Sequence, residues 1–344
     1  MSFSALFRTF VLTSIIALLA ACHGTPKLEH REISARLKAG LKTNTRAPTK
    51  DEIDGDGLAF KISVDRSGPV TLPMFWTDGM PQIMARINKG KEFPILLDTG
   101  GAGQCLLQAR TAVRNHLDIL DRPRSTITVN GTTGNEQILV GLAKDFSLGP
   151  WKMEQLPVFV RTHETSVRTG LKRETMGTDL FGMATIPLVC DYLTFDFPAQ
   201  RIVLGMGGRF PTPSGKNVWR TPMVLRDGRP FVQLRSRGVS WEAGVDTGYF
   251  GTLDIKKSTA EQLHLMDKVQ PAQVFAFGLG SPVNGESAHF DVVPVPQLDG
   301  IGPRQKEVPA CIVPERRESI IGCKFLRPYR VTFDYRRKMI WLEK

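Results

Sequence analysis

Apolar positions along this chain come in short alternating or continuous runs, closed off every few residues by Gly, Pro, Asn or Asp, which is the signature of strands and turns. Residues 58–64 (LAFKISV) and 70–76 (VTLPMFW) open the series. Before them, residues 23–55 are polar and hold no strand-like run, with a short helix predicted near 33–41. From Gly79 onward one pattern is written twice. In the first copy, residues 79–87 (GMPQIMARI) read as a two-faced strand, a Lys89-Gly90-Lys91 turn follows, and Phe93-Pro94-Ile95-Leu96-Leu97 runs into Asp98-Thr99-Gly100. In the second, residues 228–234 (GRPFVQL) lead through a turn to Ala243-Gly244-Val245 and Asp246-Thr247-Gly248. The opening glycine precedes its aspartate by 19 residues in one copy and 18 in the other.

The parallel continues in the same order. Helix-like stretches are predicted at 108–117 and 256–265, and hairpins at 126–140 and 275–290. The hairpin tips carry Gly131 and Gly134 in one copy, Gly278 and Gly280 in the other, and are read as flaps that move over a bound substrate. Strands at 156–160 and 308–313 follow, then Leu180-Phe181-Gly182 and Ile320-Ile321-Gly322. Each copy closes with a hairpin, at 193–204 and 330–342. Agreement at this many places in one order means duplication. The expected fold is mainly β and bilobal, with two similar six- or seven-stranded lobes, a few short helices and a cleft between them. The expected divisions are a leader at 1–22, a polar tether at 23–56, a first lobe at 57–205, a Gly/Pro-rich linker at 206–220 and a second lobe at 221–344.

The leader changes where the protein is expected to work. Arg8 precedes an apolar run at 10–19 that is too short to span a bilayer, and small residues then lead to Cys22, as in a secretory signal. Leu19-Ala20-Ala21-Cys22 resembles the bacterial lipobox, in which the cysteine is lipidated and becomes the mature N-terminus. His23 follows, and not the aspartate that favours inner-membrane retention, so a periplasmic, lipid-anchored protein of the outer membrane is expected. Four cysteines remain beyond Cys22, namely Cys105, Cys190, Cys311 and Cys323, and spacing alone does not say which of them pair.

Composition excludes more than it assigns. Hydrophobic residues make up 41% and charged residues 23%, ordinary for a soluble globular chain. The net charge is +11, of which the leader carries only Arg8, but no basic tract is interleaved with aromatics. A diffusely basic surface is expected, drawn to anionic lipid or cell-wall polymer, with no nucleic-acid partner. Neither Gly100-Gly101-Ala102-Gly103 nor Gly205-Met206-Gly207-Gly208 fits a dinucleotide-binding fingerprint, and the six histidines show no ligand spacing. Cys105 has no positioned histidine to activate it and reads as a buried thiol or half of a disulfide. No metal or organic cofactor is implied.

What remains is the pair of aspartates. Hydrolysing an amide with water needs a base for the water's proton and an acid to polarise the carbonyl. Two adjacent carboxyls sharing one proton supply both, because two negative charges at close range cannot both persist. Apolar strands leading to each aspartate strengthen the coupling, a threonine hydroxyl can lock a loop, and glycine lets backbone come close. An isolated Asp-Thr-Gly is more often a plain turn. Two in matching contexts are not.

These residues resemble pepsin-type and retroviral-type aspartic proteases over roughly 57–344. The ending Ile320-Ile321-Gly322, Phe325-Leu326 and residues 329–335 (YRVTFDY) is similar to that of bacterial retropepsin-like domains. The resemblance implies that Asp98 and Asp246 are the catalytic pair, that Thr99 and Thr247 hold the two loops together, and that Gly100 and Gly248 shape them. It implies an endopeptidase acting on protein or peptide, and with both aspartates in one chain a monomer suffices. The chain departs from the family where Gly101 and Tyr249 stand in place of the usual Ala or Ser, with bulky Tyr249 bearing on the cleft. The flaps lack the pepsin tyrosine, and the glycine-to-aspartate spacing near the end of each copy is 14 residues in the first and 12 in the second. The rival readings are a relative that binds peptide or envelope components without cutting them, and a structural lipoprotein. Two mutually repelling carboxylates serve neither.

Overall fold

The computed structural model describes residues 41–42, 61–63, 68–77, 79–101, 105–120, 126–130, 135–161, 166–169, 172–175, 179–182, 190–226, 228–274, 284–285, 288–315 and 317–344. It is mainly β, with two large curled sheets that follow the same path. From one edge the first lobe runs Phe75–Thr77, Met80–Ile87, Phe93–Asp98, Leu180–Gly182, Cys105–Leu107, Trp151–Arg161 and Asn135–Leu148. The second runs Val224–Arg226, Arg229–Ser236, Val239–Val245, Ser319–Ile321, Leu253–Lys256, Gln305–Val313 and Ala288–Leu298. Met80–Ile87 and Arg229–Ser236 even bury the same positions in the same order. The glycine that opens each copy has φ of 78°, a left-handed value that side chains resist, so Gly79 and Gly228 turn the chain identically into corresponding strands.

The lobes hold more strands than the six or seven expected: among the described residues the first sheet has eleven and the second eight, and a further six-stranded sheet belongs to both. Its order is Val218–Pro222, Met339–Glu343, Arg330–Asp334, Tyr192–Asp196, Arg201–Gly205 and Val70–Pro73. The closing hairpin of each copy therefore pairs with the closing hairpin of the other. At its centre Thr194 lies opposite Thr332 with the hydroxyls 2.8 Å apart, and Phe195 meets Phe333 edge to face at 6.1 Å. All four are wholly buried, in a core shared with Leu97 and Val245 just before the two aspartates. The expected linker is shorter than 206–220, because Val218–Pro222 already pairs in this sheet. The segment read as a free tether also pairs, Leu41–Lys42 lying parallel to Asp118–Leu120. The Cys22 region and the four flap-tip glycines, Gly131, Gly134, Gly278 and Gly280, lie outside the described residues.

The two copies differ in length between their aspartates and their closing hairpins. The aspartates and their threonines are 148 residues apart in sequence, whereas Thr194 and Thr332 are 138 apart, so the first copy is longer. A hairpin of Ser166–Thr169 and Lys172–Thr175 falls in this extra length, and Ser166 and Val167 pair in parallel with Asn284 and Gly285 of the second lobe. Hydrophobic patterning gave no sign of it, since Val167 is the one apolar residue in its two strands.

Helix Ala109–Arg114 starts at Gln108 without a side-chain cap of its own. Asp179, immediately before Leu180–Gly182, takes that role: Gln108 N–H donates to Oδ1 at 2.7 Å and the Thr111 hydroxyl to Oδ2 at 2.6 Å. In the second lobe exposed Glu315 receives Ser258 N–H and its hydroxyl near helix Lys257–Gln262. The difference is burial, which pushes the Asp179 carboxyl up to about 7 against the pull of its two hydrogen bonds. A carboxyl whose pKa rises on folding holds its proton more tightly in the fold. Its contribution to stability is full below the unfolded value near 4 and is lost as pH rises through about 7. The melting temperature should therefore fall between pH 4 and pH 7.5, with Asp179 contributing up to roughly 4 kcal/mol of the change. Asp179→Asn mimics the protonated form and should flatten this slope. A melting series showing equal slopes in both proteins would show that Asp179 is ionised throughout.

Candidate active site

The Phe93–Asp98 strand carries Ile95, Leu96 and Leu97 inside the core and delivers Asp98 at its end. Val239–Val245 does the same for Asp246, whose N–H donates to the Ile321 carbonyl at 2.9 Å. Both aspartates are flanked by a parallel neighbour. Gly182 lies opposite Asp98, and Ile321 lies opposite Val245. The apolar-apolar-Gly segments thus form the walls beside the two loops.

The loops are tied to each other by four reciprocal hydrogen bonds. Thr99 N–H donates to the Thr247 hydroxyl at 3.0 Å and Thr247 N–H to the Thr99 hydroxyl at 2.8 Å. Each hydroxyl then donates onward to the opposite strand, Thr99 to the Val245 carbonyl at 2.7 Å and Thr247 to the Leu97 carbonyl at 2.6 Å. Both threonines are fully buried, so every one of these groups depends on the other lobe for its partner. Gly100 and Gly248 matter for clearance. A Cβ on Gly248 would lie 2.7 Å from the Asp98 carboxyl carbon, and one on Gly100 would collide with the Asp246 carboxyl. Beneath the second loop, the buried Cys323 thiol donates to the Thr247 carbonyl at 3.0 Å.

This packing brings Asp98 and Asp246 into a mutual side-chain hydrogen bond. Both keep partial access to solvent, yet the protein around their carboxyls is the largest influence on them. Burial raises both pKa values. For Asp98 the rise is opposed by the bond with Asp246 and by Gly100 and Gly101 N–H groups, each 2.8 Å from Oδ1. Asp246 has one such N–H, from Gly248 at 2.7 Å, and the Asp98 charge pushes it further up, so it lies well above the usual carboxylate range. The extra backbone N–H favours the charged form of Asp98, and the two carboxyls titrate as one unit. Arg229 favours the charged form of both. Its guanidinium is ion-paired with Glu318 and sits 5.1 Å above the Phe231 ring.

Several features of the surroundings were not singled out in the sequence. Arg229 was hidden inside the second copy's opening strand, where the first copy has Met80, and comparing the copies position by position exposes it. Cys105, Cys190, Cys311 and Cys323 are all free thiols, and Cys105 and Cys323 are buried with their pKa raised by burial. Among the described residues no group of three or more His, Cys, Asp or Glu is placed to hold a metal, and no helix is long and apolar enough to cross a membrane.

Thr247→Val keeps the shape of the side chain but leaves the Thr99 N–H and the Leu97 carbonyl unpaired in the core. A loss of about 2–5 kcal/mol is expected from denaturant unfolding, while Thr247→Ser should recover most of it. Equal midpoints for the Val variant and the parent would remove the structural role assigned to these bonds.

Comparison with known proteins bears on the first lobe. No curated protein matches the chain. Residues 83–184, which contain Asp98-Thr99-Gly100 and end just past Leu180–Gly182, match the model of a family described as Aspartyl protease, and this match supports an aspartic-protease-like family.

Proposed function

We propose that this chain is an aspartic endopeptidase of the bacterial cell envelope, in which Asp98 and Asp246 activate a water for attack on a peptide bond. The observation that carries the reading is the joined pair itself: two carboxyls from duplicated loops, hydrogen-bonded to each other above a buried threonine lattice. A fold needing only a binding cleft gains nothing from forcing two acids together at a cost in charge repulsion.

The geometry favours one division of roles. Asp98, held ionised by two backbone N–H groups, takes a proton from the attacking water. Asp246, holding the shared proton, donates it to the carbonyl oxygen as the tetrahedral intermediate forms. The proton gained by Asp98 then passes to the leaving nitrogen, and Asp246 recovers one from the collapsing diol. Each step brings one proton onto the pair and takes another off it, so the pair ends as it began. The flap role of Gly131, Gly134, Gly278 and Gly280 and lipid attachment at Cys22 are parts of the same proposal, supported by the residue patterns alone.

Activity on a denatured protein should follow a bell-shaped pH profile, falling in acid when Asp98 is protonated and in alkali when Asp246 loses its proton. Asp98→Asn and Asp246→Asn should each lower turnover by roughly three orders of magnitude or more, and the double change should cost little beyond either single one. Full activity in either single variant would end the proposed mechanism. The envelope assignment is tested separately. Cys22→Ser should leave the membrane fraction or accumulate with its leader uncleaved, whereas a parent protein found in buffer without lipid on residue 22 would exclude the anchor.

A further inference from the structure

The floor of the site is unequal on its two sides. Three residues after Asp98 stands Gly101, whose N–H turns in to the Asp98 carboxylate at 2.8 Å and which has no side chain to offer the cleft. Three residues after Asp246 stands Tyr249, whose N–H faces the Asp246 main-chain carbonyl at 3.4 Å. Corresponding positions of a duplicated loop thus differ by a whole phenol.

That phenol is held in place from several directions. A Cβ on Gly322 would lie 2.6 Å from the ring's Cδ1, and one on Gly251 would overlap its outer atoms, so the ring lies against two bare stretches of backbone. The hydroxyl donates to Asp254 Oδ1 at 2.6 Å. Asp254 is itself buried, in the place where the first copy's matching strand has Leu106, and burial pushes its carboxyl up to about 6 while the tyrosine bond and Arg317 pull it down. Below, the Tyr249 carbonyl accepts from Cys323 N–H at 2.7 Å. A ring anchored at its tip, its face and its backbone does not swing aside to admit a ligand. It remains half-exposed beside Asp246 and packs on half-exposed Phe250, with centroids 5.6 Å apart, and Phe250 in turn reaches Gly79 of the first lobe.

We propose that Tyr249 determines specificity: its anchored ring fills the subsite next to Asp246, so that one of the two residues flanking the scissile bond must be small, while the subsite next to Asp98, floored by Gly101, admits bulky ones. The ligand class is an extended peptide with a Gly, Ala or Ser on one flank of the cleaved bond and a large side chain on the other. This inference rests on the peptidase reading, and an active enzyme of either specificity leaves that reading standing.

The test uses the full chain and a peptide pool randomised at the two positions flanking a central bond, with cleavage mapped by mass spectrometry. The parent should favour a small residue over a bulky one on a single flank by roughly ten-fold or more. Tyr249→Ala should erase that preference on the same flank and leave the other unchanged. Tyr249→Phe, which keeps the ring, should retain it, and this variant guards against a misfolded Ala form. A parent that accepts bulky residues equally on both flanks, or a Phe variant whose selectivity is lost together with that of Ala, would overturn the assignment while the peptidase reading survives. A parent that cuts no member of the pool would remove both.

Discussion

Two carboxyl groups do not approach each other unaided, and the rest of this structure follows from the hydrogen bonds that force them to. The Thr99 and Thr247 hydroxyls each accept an N–H from the opposite loop and donate to a carbonyl of the opposite strand. Because both side chains are completely buried, a loop that drifted away would leave six polar groups without these partners in an apolar core. That penalty fixes the spacing of Asp98 and Asp246 more firmly than a contact between the carboxyls could. The six-stranded sheet shared by the lobes reinforces it from below, with the Thr194–Thr332 pair and the Phe195–Phe333 contact holding the two closing hairpins against each other.

Duplication gives the frame its symmetry, and the candidate site lies where that symmetry is broken. Asp98 receives two backbone N–H groups and Asp246 one, which favours the charged form of Asp98. Arg229 stands where the first copy has Met80, and Tyr249 where it has Gly101. One helix start is capped by buried Asp179 and its counterpart by exposed Glu315. A strictly symmetric pair would present the same face to both ends of a peptide. Here the two sides of the pair carry different side chains.

Burial also gives the molecule a common response to pH. Asp98, Asp246, Asp179 and Asp254 all have raised carboxyl pKa values, and in each the largest cause is the protein closing around the group. At these groups the fold holds, above pH 4, protons that the unfolded chain has already released, so acid favours their folded form. The same physics that keeps a proton on the candidate site links the stability of both lobes to acidity.

The sequence by itself determined the repeat. Local patterning is enough to recognise apolar strands ending in Asp-Thr-Gly, the turning glycines Gly79 and Gly228, and the apolar-apolar-Gly segments, because each is set by residues close together in the chain. It also marked Tyr249 as out of pattern. Only the tertiary structure decided what these pieces do to one another. The shared sheet, the pairing of Leu41–Lys42, the hairpin of Ser166–Thr169 and Lys172–Thr175 that reaches the second lobe, and Asp179 as a cap for the helix that starts at Gln108, 71 residues before it, all arise between distant segments. So do the meeting of the two carboxyls and the turn of the Tyr249 ring onto Asp254. Periodicity reports which face of a strand is apolar. It carries no information about which distant group will be buried against that face, and burial is what sets the pKa values, the proton's position and the shape of the cleft.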